Sequence, residues 1–298
     1  MSEKTVSASP PFPPVFALFF GVLAVSTGAI FARLAGEAPA LVIAAYRVGL
    51  AALILLPFAL YYAGKELIHL EPKEYALAFL SGLFLALHFA TWISSLSYTS
   101  VANSVVLVNT NPLWVGILTP FIAKEALKKE TLISILLSVC GGIIISYGDF
   151  ATDTRALWGD FLALLGSICA AVYLLIGRRL RAALSLPAYI MLCYGSAAII
   201  LWTMVLLSGL PYQGFGIRTL SAFWAMALIP QLMGHSSYNW SLKWFSAGTI
   251  AVSLLGEPIV STVLAWILFN EGLTLCKMLG GALILFAIWF ASRSESRG

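Results

Sequence analysis

Ten runs of about twenty apolar residues leave this chain very few ways to fold. They cover 15–33, 41–62, 73–95, 101–122 and 131–149, then 157–177, 187–208, 220–242, 248–269 and 274–291. Each is long enough to cross a hydrocarbon layer roughly 30 Å thick. Inside such a layer every backbone N–H and C=O needs a protein partner, which only helices and closed barrels provide. These runs are continuously apolar rather than alternating, so they read as helices. The expected fold class is an all-α integral membrane protein with ten transmembrane helices. Composition agrees: 60% of residues are hydrophobic and 10% charged, against about a quarter charged in soluble domains, and the mean hydropathy is +0.94.

Two stretches of the sequence copy one another, residues 88–125 (HFATWISSLSYTSVANSVVLVNTNPLWVGILTPFIAKE) and 235–271 (HSSYNWSLKWFSAGTIAVSLLGEPIVSTVLAWILFNE). His88 and His235 lie 147 positions apart, as do Tyr98 and Phe245, while Pro112 with Pro258 and Glu125 with Glu271 lie 146 apart. Gly21 with Gly166 and Arg33 with Arg178 share a spacing of 145. Five spans per copy is an odd number, so the second copy must enter the membrane upside down. The expected organisation is two inverted five-helix repeats, 15–149 and 157–291, with a linker at 150–156. A proline-rich lead-in at 1–14 and a tail at 292–298 flank them. Inverted repeats with interrupted helices near the midplane are a common plan of secondary transporters, the substrate lying between the copies.

Lysines and arginines set the orientation. With the N-terminus in the cytoplasm, twelve of the seventeen fall on that side, among them Lys65, Lys124, Lys128 and Arg179. Four, Arg33, Arg155, Arg218 and Lys277, fall outside, and Arg47 lies within helix 2. That bias places both termini in the cytoplasm. The first apolar run has no convincing cleavage site and reads as a retained span. A net charge of +4 spread over short loops gives no footprint for nucleic acid. Cys140, Cys169, Cys193 and Cys276 form no CxxC pair and read as small hydrophobes.

Polar residues inside the apolar runs mark the candidate site. On helix 3, Ser81, Phe84, His88, Trp92 and Ser95 share one stripe; on helix 8, His235, Tyr238, Asn239 and Leu242 share another. Each histidine is about 15 residues into its span, roughly 22 Å at 1.5 Å per residue. With the spans running in opposite directions, His88 is expected in the outer half and His235 in the inner half. Asn109 and Asn111 precede Pro112, and their amides offer donors and acceptors to a zwitterion without adding charge. Trp92, Trp114, Tyr98 and Tyr173 offer faces for an aromatic or cationic substrate. Pro112 and Pro258 are expected hinges, because proline removes a ladder bond. Glu257, a carboxyl within helix 9, can lie protonated in the membrane and titrate as a cavity opens, so it is the candidate for proton coupling. Each residue also has a plainer role. The histidines can serve as packing glue, the aromatics as core, Glu257 as a structural partner of Arg47, and Arg47 itself can snorkel.

No HExxH, Walker loop, dinucleotide fingerprint or metal cluster occurs, and YGD at 147–149 lacks the partner aspartate of an intramembrane protease. No enzyme activity, cofactor or metal is expected. The helix count, the duplicated spacing from Pro112 to Glu125 and from Pro258 to Glu271, and the glycine-rich last helix (LGGALILFAIWF) resemble the drug/metabolite transporter superfamily of the EamA type. Stretches such as HFATWISSLSYTSVANSVVLVNTNPLW are most similar to YddG-type aromatic amino-acid exporters. The resemblance implies movement of amino acids and related small metabolites across a bacterial inner membrane. It also implies a pathway among helices 1, 3, 4, 6, 8 and 9, with 5 and 10 at the periphery. The other cargo classes of the superfamily are nucleotide sugars, phosphorylated metabolites and cationic drugs, and a non-transporting scaffold is the remaining alternative. Phosphate calls for several lysines or arginines at the midplane, where only Arg47 is near.

The charge count generates a direct test. In a background without the four native cysteines, single cysteines at positions 65, 124 and 179 resist a membrane-impermeant thiol reagent applied to intact cells. Labelling of all three reverses the orientation.

Overall fold

A computed structural model describes residues 10–99, 101–122, 129–146, 154–269 and 275–295. Every regular element among them is helical. In chain order these are α1 (Pro14–Val25), α2 (Gly28–Leu34), α3 (Ala40–Ile68), α4 (Pro72–Ser95), α5 (Val101–Val108), α6 (Asn111–Ile122), α7 (Lys129–Ser146), α8 (Thr154–Arg181) and α9 (Leu186–Leu207). Then come α10 (Ile217–Met226), a π-helix (Ala227–His235), α11 (Ser236–Ser241), α12 (Ala247–Leu254), α13 (Gly256–Phe269) and α14 (Leu275–Glu295). Glu125, Glu271, Lys124 and Lys128 lie outside the described residues.

Among the described residues, seven stretches are long and apolar enough to cross a membrane: Pro14–Leu34, Ala40–Ile68, Pro72–Ser95, Ser104–Ile122, Thr154–Arg181, Leu186–Leu207 and Ala247–Leu268. They coincide with expected spans 1 to 4, 6, 7 and 9. The other three expected runs are also helical, over α7, over α14 and over α10 to α11, where the π-helix interrupts the α-helical ladder. Large apolar side chains such as Phe20, Leu53, Phe58, Leu207 and Ile267 point outward, as a lipid-facing surface requires.

Local chemistry fixes the helix ends. At the start of α4, Glu71 and Glu74 form a reciprocal capping box around Pro72, satisfying two backbone donors. Ser185 caps α9 and Ser246 caps α12, each accepting from a backbone N–H three residues on. The last turn of α8 carries Arg178, Arg179 and Arg181, cations at the negative end of the helix dipole. Two of them also bridge to the end of α11: Arg178 donates to the Leu242 carbonyl at 2.6 Å and Arg181 Nε to the Asn239 carbonyl at 2.9 Å. Within the proline-rich lead-in, Phe12 stacks on Trp240 with centroids 4.8 Å apart.

The principal packing partners are α4 with α8 and α9, α3 with α9, α7 with α14, and α1 with the π-helix and α11. With lipid outside, helices gain nothing from apolar burial alone, and close approach of small residues carries the packing. Alanines accordingly fill the interior of α3, including Ala44, Ala45, Ala51 and Ala59. Gly82 of α4 meets α9 at its backbone, since a Cβ there would lie 2.5 Å from the Cys193 carbonyl oxygen.

That contact is testable because backbone cannot move aside. Gly82→Leu is expected to lower stability by about 1–3 kcal/mol, read as thermal unfolding of the purified protein. Gly64→Ala, where a Cβ meets nothing within 4 Å, leaves stability unchanged or raises it by about 0.5–1 kcal/mol. Equal losses in both variants contradict the packing described.

Candidate functional site

Among the described residues three apolar spans are broken, and the breaks converge. The first gives way at Ser26–Thr27 between α1 and α2, the fourth at Asn109–Thr110 between α5 and α6, and the ninth at Leu255 between α12 and α13. At two of them hydroxyls add a second bond to carbonyls that also accept from a backbone N–H. Ser26 and Thr27 donate to the Val22 and Ala24 carbonyls, and Thr110 to the Leu107 carbonyl, each at 2.7 Å. Ser261 of α13 reaches across to the Ser26 carbonyl at 3.0 Å, fastening one break to the neighbouring span.

A cavity of about 40 Å³ lies where these breaks meet. Val25 comes from the end of α1, Val108, Asn109 and Asn111 from the break between α5 and α6, and Leu254 and Glu257 from either side of Leu255. His88 and Trp92 of α4, Ala170, Tyr173 and Leu174 of α8, His235 of the π-helix, Tyr238 of α11 and Arg47 of α3 complete the wall. Among the described residues, none from α7, α9 or α14 lines it. The volume accommodates about two or three waters, far below the roughly 300–1,000 Å³ of a small-molecule site. The site is therefore closed down in this conformation. A wider depression of about 520 Å³ lies at the other end of α2, between Arg33, the start of α3 and Leu96–Thr99.

Four side-chain atoms on this wall are buried without a hydrogen-bond partner: Arg47 Nη1, Trp92 Nε1, Asn111 Oδ1 and His235 Nδ1. Such an atom costs about 1–3 kcal/mol if nothing binds it. Other groups are firmly held. His88 Nδ1 donates to the Gly166 carbonyl at 2.9 Å, which leaves Nε2 as the acceptor of a neutral ring. Tyr238 donates to the Gly21 carbonyl at 3.2 Å, and Asn109 Nδ2 to the Val105 carbonyl at 2.8 Å. His88 stacks on Trp92 with planes 8° apart. Among the described residues no group of three or more His, Cys, Asp or Glu is arranged to hold a metal.

Of the residues singled out in the sequence, His88, Trp92, Asn109, Asn111, Tyr173, His235, Tyr238 and Glu257 meet at this cavity. Tyr98, Trp114 and Asn239 do not line it. Tyr98 is 40% exposed beyond the end of α4, with the Arg155 guanidinium over its ring at 5.8 Å. Trp114 lies in α6, half-buried against the main core. Asn239 sits one layer behind, its amide joined to the Tyr173 hydroxyl at 2.9 and 2.7 Å and to Tyr194 at 3.2 Å. It positions Tyr173 instead of facing the cavity.

Two expectations change. His88 and His235 do not occupy separate depths, because their ring centroids are 6.5 Å apart. Side chains in a helix lean toward its N-terminus, so with the two spans in the opposite directions expected from the sequence the rings lean toward one another. Pro112 and Pro258 do not interrupt helix interiors either. Pro112 is the second residue of α6 and Pro258 the third of α13, first-turn positions where a missing N–H costs little. The break precedes each proline.

Arg47 and Gln231 carry more of the site than the sequence conveyed. Arg47 is 1% exposed and does not snorkel. Its Nε donates to Gln231 Oε1 at 2.9 Å and its guanidinium lies 4.0 Å over the Phe89 ring. It forms no ion pair with Glu257 among the described residues, although both line the cavity. The available signals were a lone arginine in an apolar span and one of only two glutamines in the chain.

Comparison with known proteins agrees with this architecture. A crystal structure of another chain, 18% identical, superposes with a TM-score of 0.76 over 95% of this chain and 98% of its own length. An uncharacterized transporter of Bacillus subtilis (strain 168), YyaM, is 25% identical over 259 residues, spanning 84% of this chain and 83% of that protein. An uncharacterized transporter of Archaeoglobus fulgidus is 24% identical over 202 residues, spanning 66% and 70% respectively. The pattern of the EamA-like transporter family matches twice, over residues 12–147 and 157–293, and the chain belongs to that family.

Proposed function

We propose that this protein is a secondary transporter of amino acids, aromatic or neutral, and of related small amphipathic metabolites. It works by alternating access as an exporter or facilitator in the inner membrane, with both termini cytoplasmic. Its ten spans form two inverted repeats, 15–149 and 157–291, joined by 150–156. The observation that carries the reading is the closed cavity at the meeting of three helix breaks, where four buried polar atoms have no partner. Apolar packing has no use for such a place, and a transported polar solute does.

The pairing of elements supports the inverted repeat. A pseudo-two-fold axis in the membrane plane makes equivalent spans pack on one another, as α3 does on α9 and α7 on α14. The aligned glycines behave alike: the Gly166 carbonyl accepts from His88 of the other repeat, and the Gly21 carbonyl from Tyr238 of the other repeat. The aligned prolines both begin a half-helix just after a break.

The two ends of the bundle differ as alternating access requires. On the expected cytoplasmic side, Arg178 and Arg181 fasten α8 to the end of α11. The wider depression lies on the opposite side, next to Arg33. Asn109 and Asn111 supply amides, Trp92 and Tyr173 supply aromatic surface, and Glu257 supplies the proton-coupling carboxyl.

Counterflow of labelled amino acids in proteoliposomes tests the assignment. Neutral or aromatic amino acids exchange and compete, and sugar phosphates do not. Absence of flux for every amino acid tried removes the reading in favour of another cargo or a scaffold.

Hinge behaviour gives a further prediction. An alanine at 112 or 258 restores an N–H able to bond the carbonyl four residues back, at Val108 or Leu254, and heals the break. Pro112→Ala and Pro258→Ala are each expected to slow exchange while substrate affinity stays within about tenfold, roughly 1.4 kcal/mol. Unchanged exchange with both variants shows that the breaks are not the moving parts.

A further inference from the structure

Arg47 is a fully buried cation with incomplete bonding, and its surroundings form a built site. Its Nε is fixed by Gln231 Oε1 at 2.9 Å, and its planar face rests 4.0 Å over the Phe89 ring. Its Nη1 has no partner, and neither has the Nε2 of the same Gln231. Trp92 Nε1 is a third buried donor without an acceptor, with the guanidinium 5.9 Å over its ring. Gln231 reaches this position from the π-helix, where an extra residue per turn changes which side chains face inward, a device frequent at functional sites. Gln231 is 0% exposed.

We propose that Arg47, oriented by Gln231, is the receptor for the carboxylate of the transported solute, so that good cargo carries a free carboxylate. The assignment rests on reading the cavity as an amino-acid site. A guanidinium presents parallel N–H donors that match the two oxygens of a carboxylate, and few other groups complete its bonding as well. The acceptors on the same wall form the complementary pole. Asn111 Oδ1 has no partner among the described residues, and Glu257 lines the same cavity, bonded to Asn109 and near enough to Arg47 to interact electrostatically without a direct ion pair. A zwitterion satisfies both poles at once and adds no net charge to a low-dielectric interior. An amine without a carboxylate leaves the arginine unpaired, which is costly in a membrane. A phosphate ester brings more charge than one arginine balances.

The test compares acids with their own amides on the purified full-length protein. L-Phenylalanine and L-leucine, and their α-carboxamides, compete with a labelled amino acid for binding in wild type, Arg47→Gln and Gln231→Leu. Wild type is expected to favour the acids at least about tenfold, the scale of a lost charge-assisted hydrogen bond. Arg47→Gln brings acid and amide to within about threefold. Gln231→Leu, which keeps the guanidinium but removes its anchor, narrows the preference without abolishing it. Should Arg47→Gln fail to fold, the wild-type ratio still decides. Amides that bind as well as acids in wild type overturn the assignment and leave Arg47 a packing residue. Tighter competition by phenyl phosphate than by phenylalanine overturns it in favour of phosphorylated cargo. Wild-type protein that exchanges no amino acid at all takes down the transport reading and this assignment with it, a result distinct from the other two because flux itself is missing.

Discussion

A helix inside hydrocarbon can break only where other groups take over the backbone bonds it gives up. The structure follows from where this protein meets that condition. The breaks at Ser26–Thr27, Asn109–Thr110 and Leu255 are gathered about one point. Ser261 takes up the Ser26 carbonyl from a neighbouring span, and hydroxyls of Ser26, Thr27 and Thr110 reinforce carbonyls of their own spans that also keep a backbone partner. Concentrating the breaks lets α3, α8 and α9 stay continuous over 29, 28 and 22 residues. The polar interior exists because the irregular backbone does, and the unbroken helices around it make the irregular backbone tolerable.

Much of this was legible because the bilayer imposes length on the sequence. A run of twenty apolar residues announces a span whatever its neighbours are, and His88, Asn109 or Glu257 stands out against such a background. His88, Asn109, Asn111, His235 and Glu257 face the cavity for the same reason, since lipid offers them nothing. Tyr98 does not line this cavity because α4 ends at Ser95, and beyond it helical spacing no longer governs direction. Asn239 shares the polar face of Tyr238 but points at Tyr173, a distinction that spacing along one helix does not contain. The π-helix has no signature in periodicity, so the rotation that brings Gln231 to Arg47 was invisible. The prolines were read as kinks in continuous helices, although a proline opening a half-helix produces the same apolar run.

The closed cavity and the arginines at the end of α8 belong to one mechanical picture. Arg178 and Arg181 donate to carbonyls at the end of α11, groups that a helix terminus leaves without intrahelical partners. These bonds join α8, which carries Tyr173, to the segment that carries Tyr238 and Asn239. Movement of α11 away from α8 therefore exposes carbonyls and cations together. Near the interface water can replace both sets of bonds, so the latch is reversible in a way that a bond at the midplane is not. Phe12 stacked on Trp240 adds apolar contact to the same end.

Two helix pairs, each drawn from both matched segments, are alike in plan and unequal in detail, and one is the easier to deform. The α4–α8 pair is continuous through both helices, and its histidine, His88, is bonded to the Gly166 carbonyl. The counterpart pair consists of α1 broken from α2 and a span carrying a nine-residue π-helix, and its histidine, His235, has Nδ1 unbonded. A broken span and a π-helix deform at lower cost than a regular α-helix, since fewer ladder bonds are lost. Gly234 brings the π-helix against α1 so closely that a Cβ there would lie 2.5 Å from Val25 Cγ1, so these two elements are tightly packed on one another. Arg47 is held by Gln231 of this softer unit and by Phe89 of the stiffer one. A ligand bound at its free Nη1 therefore bears on the contact between the two.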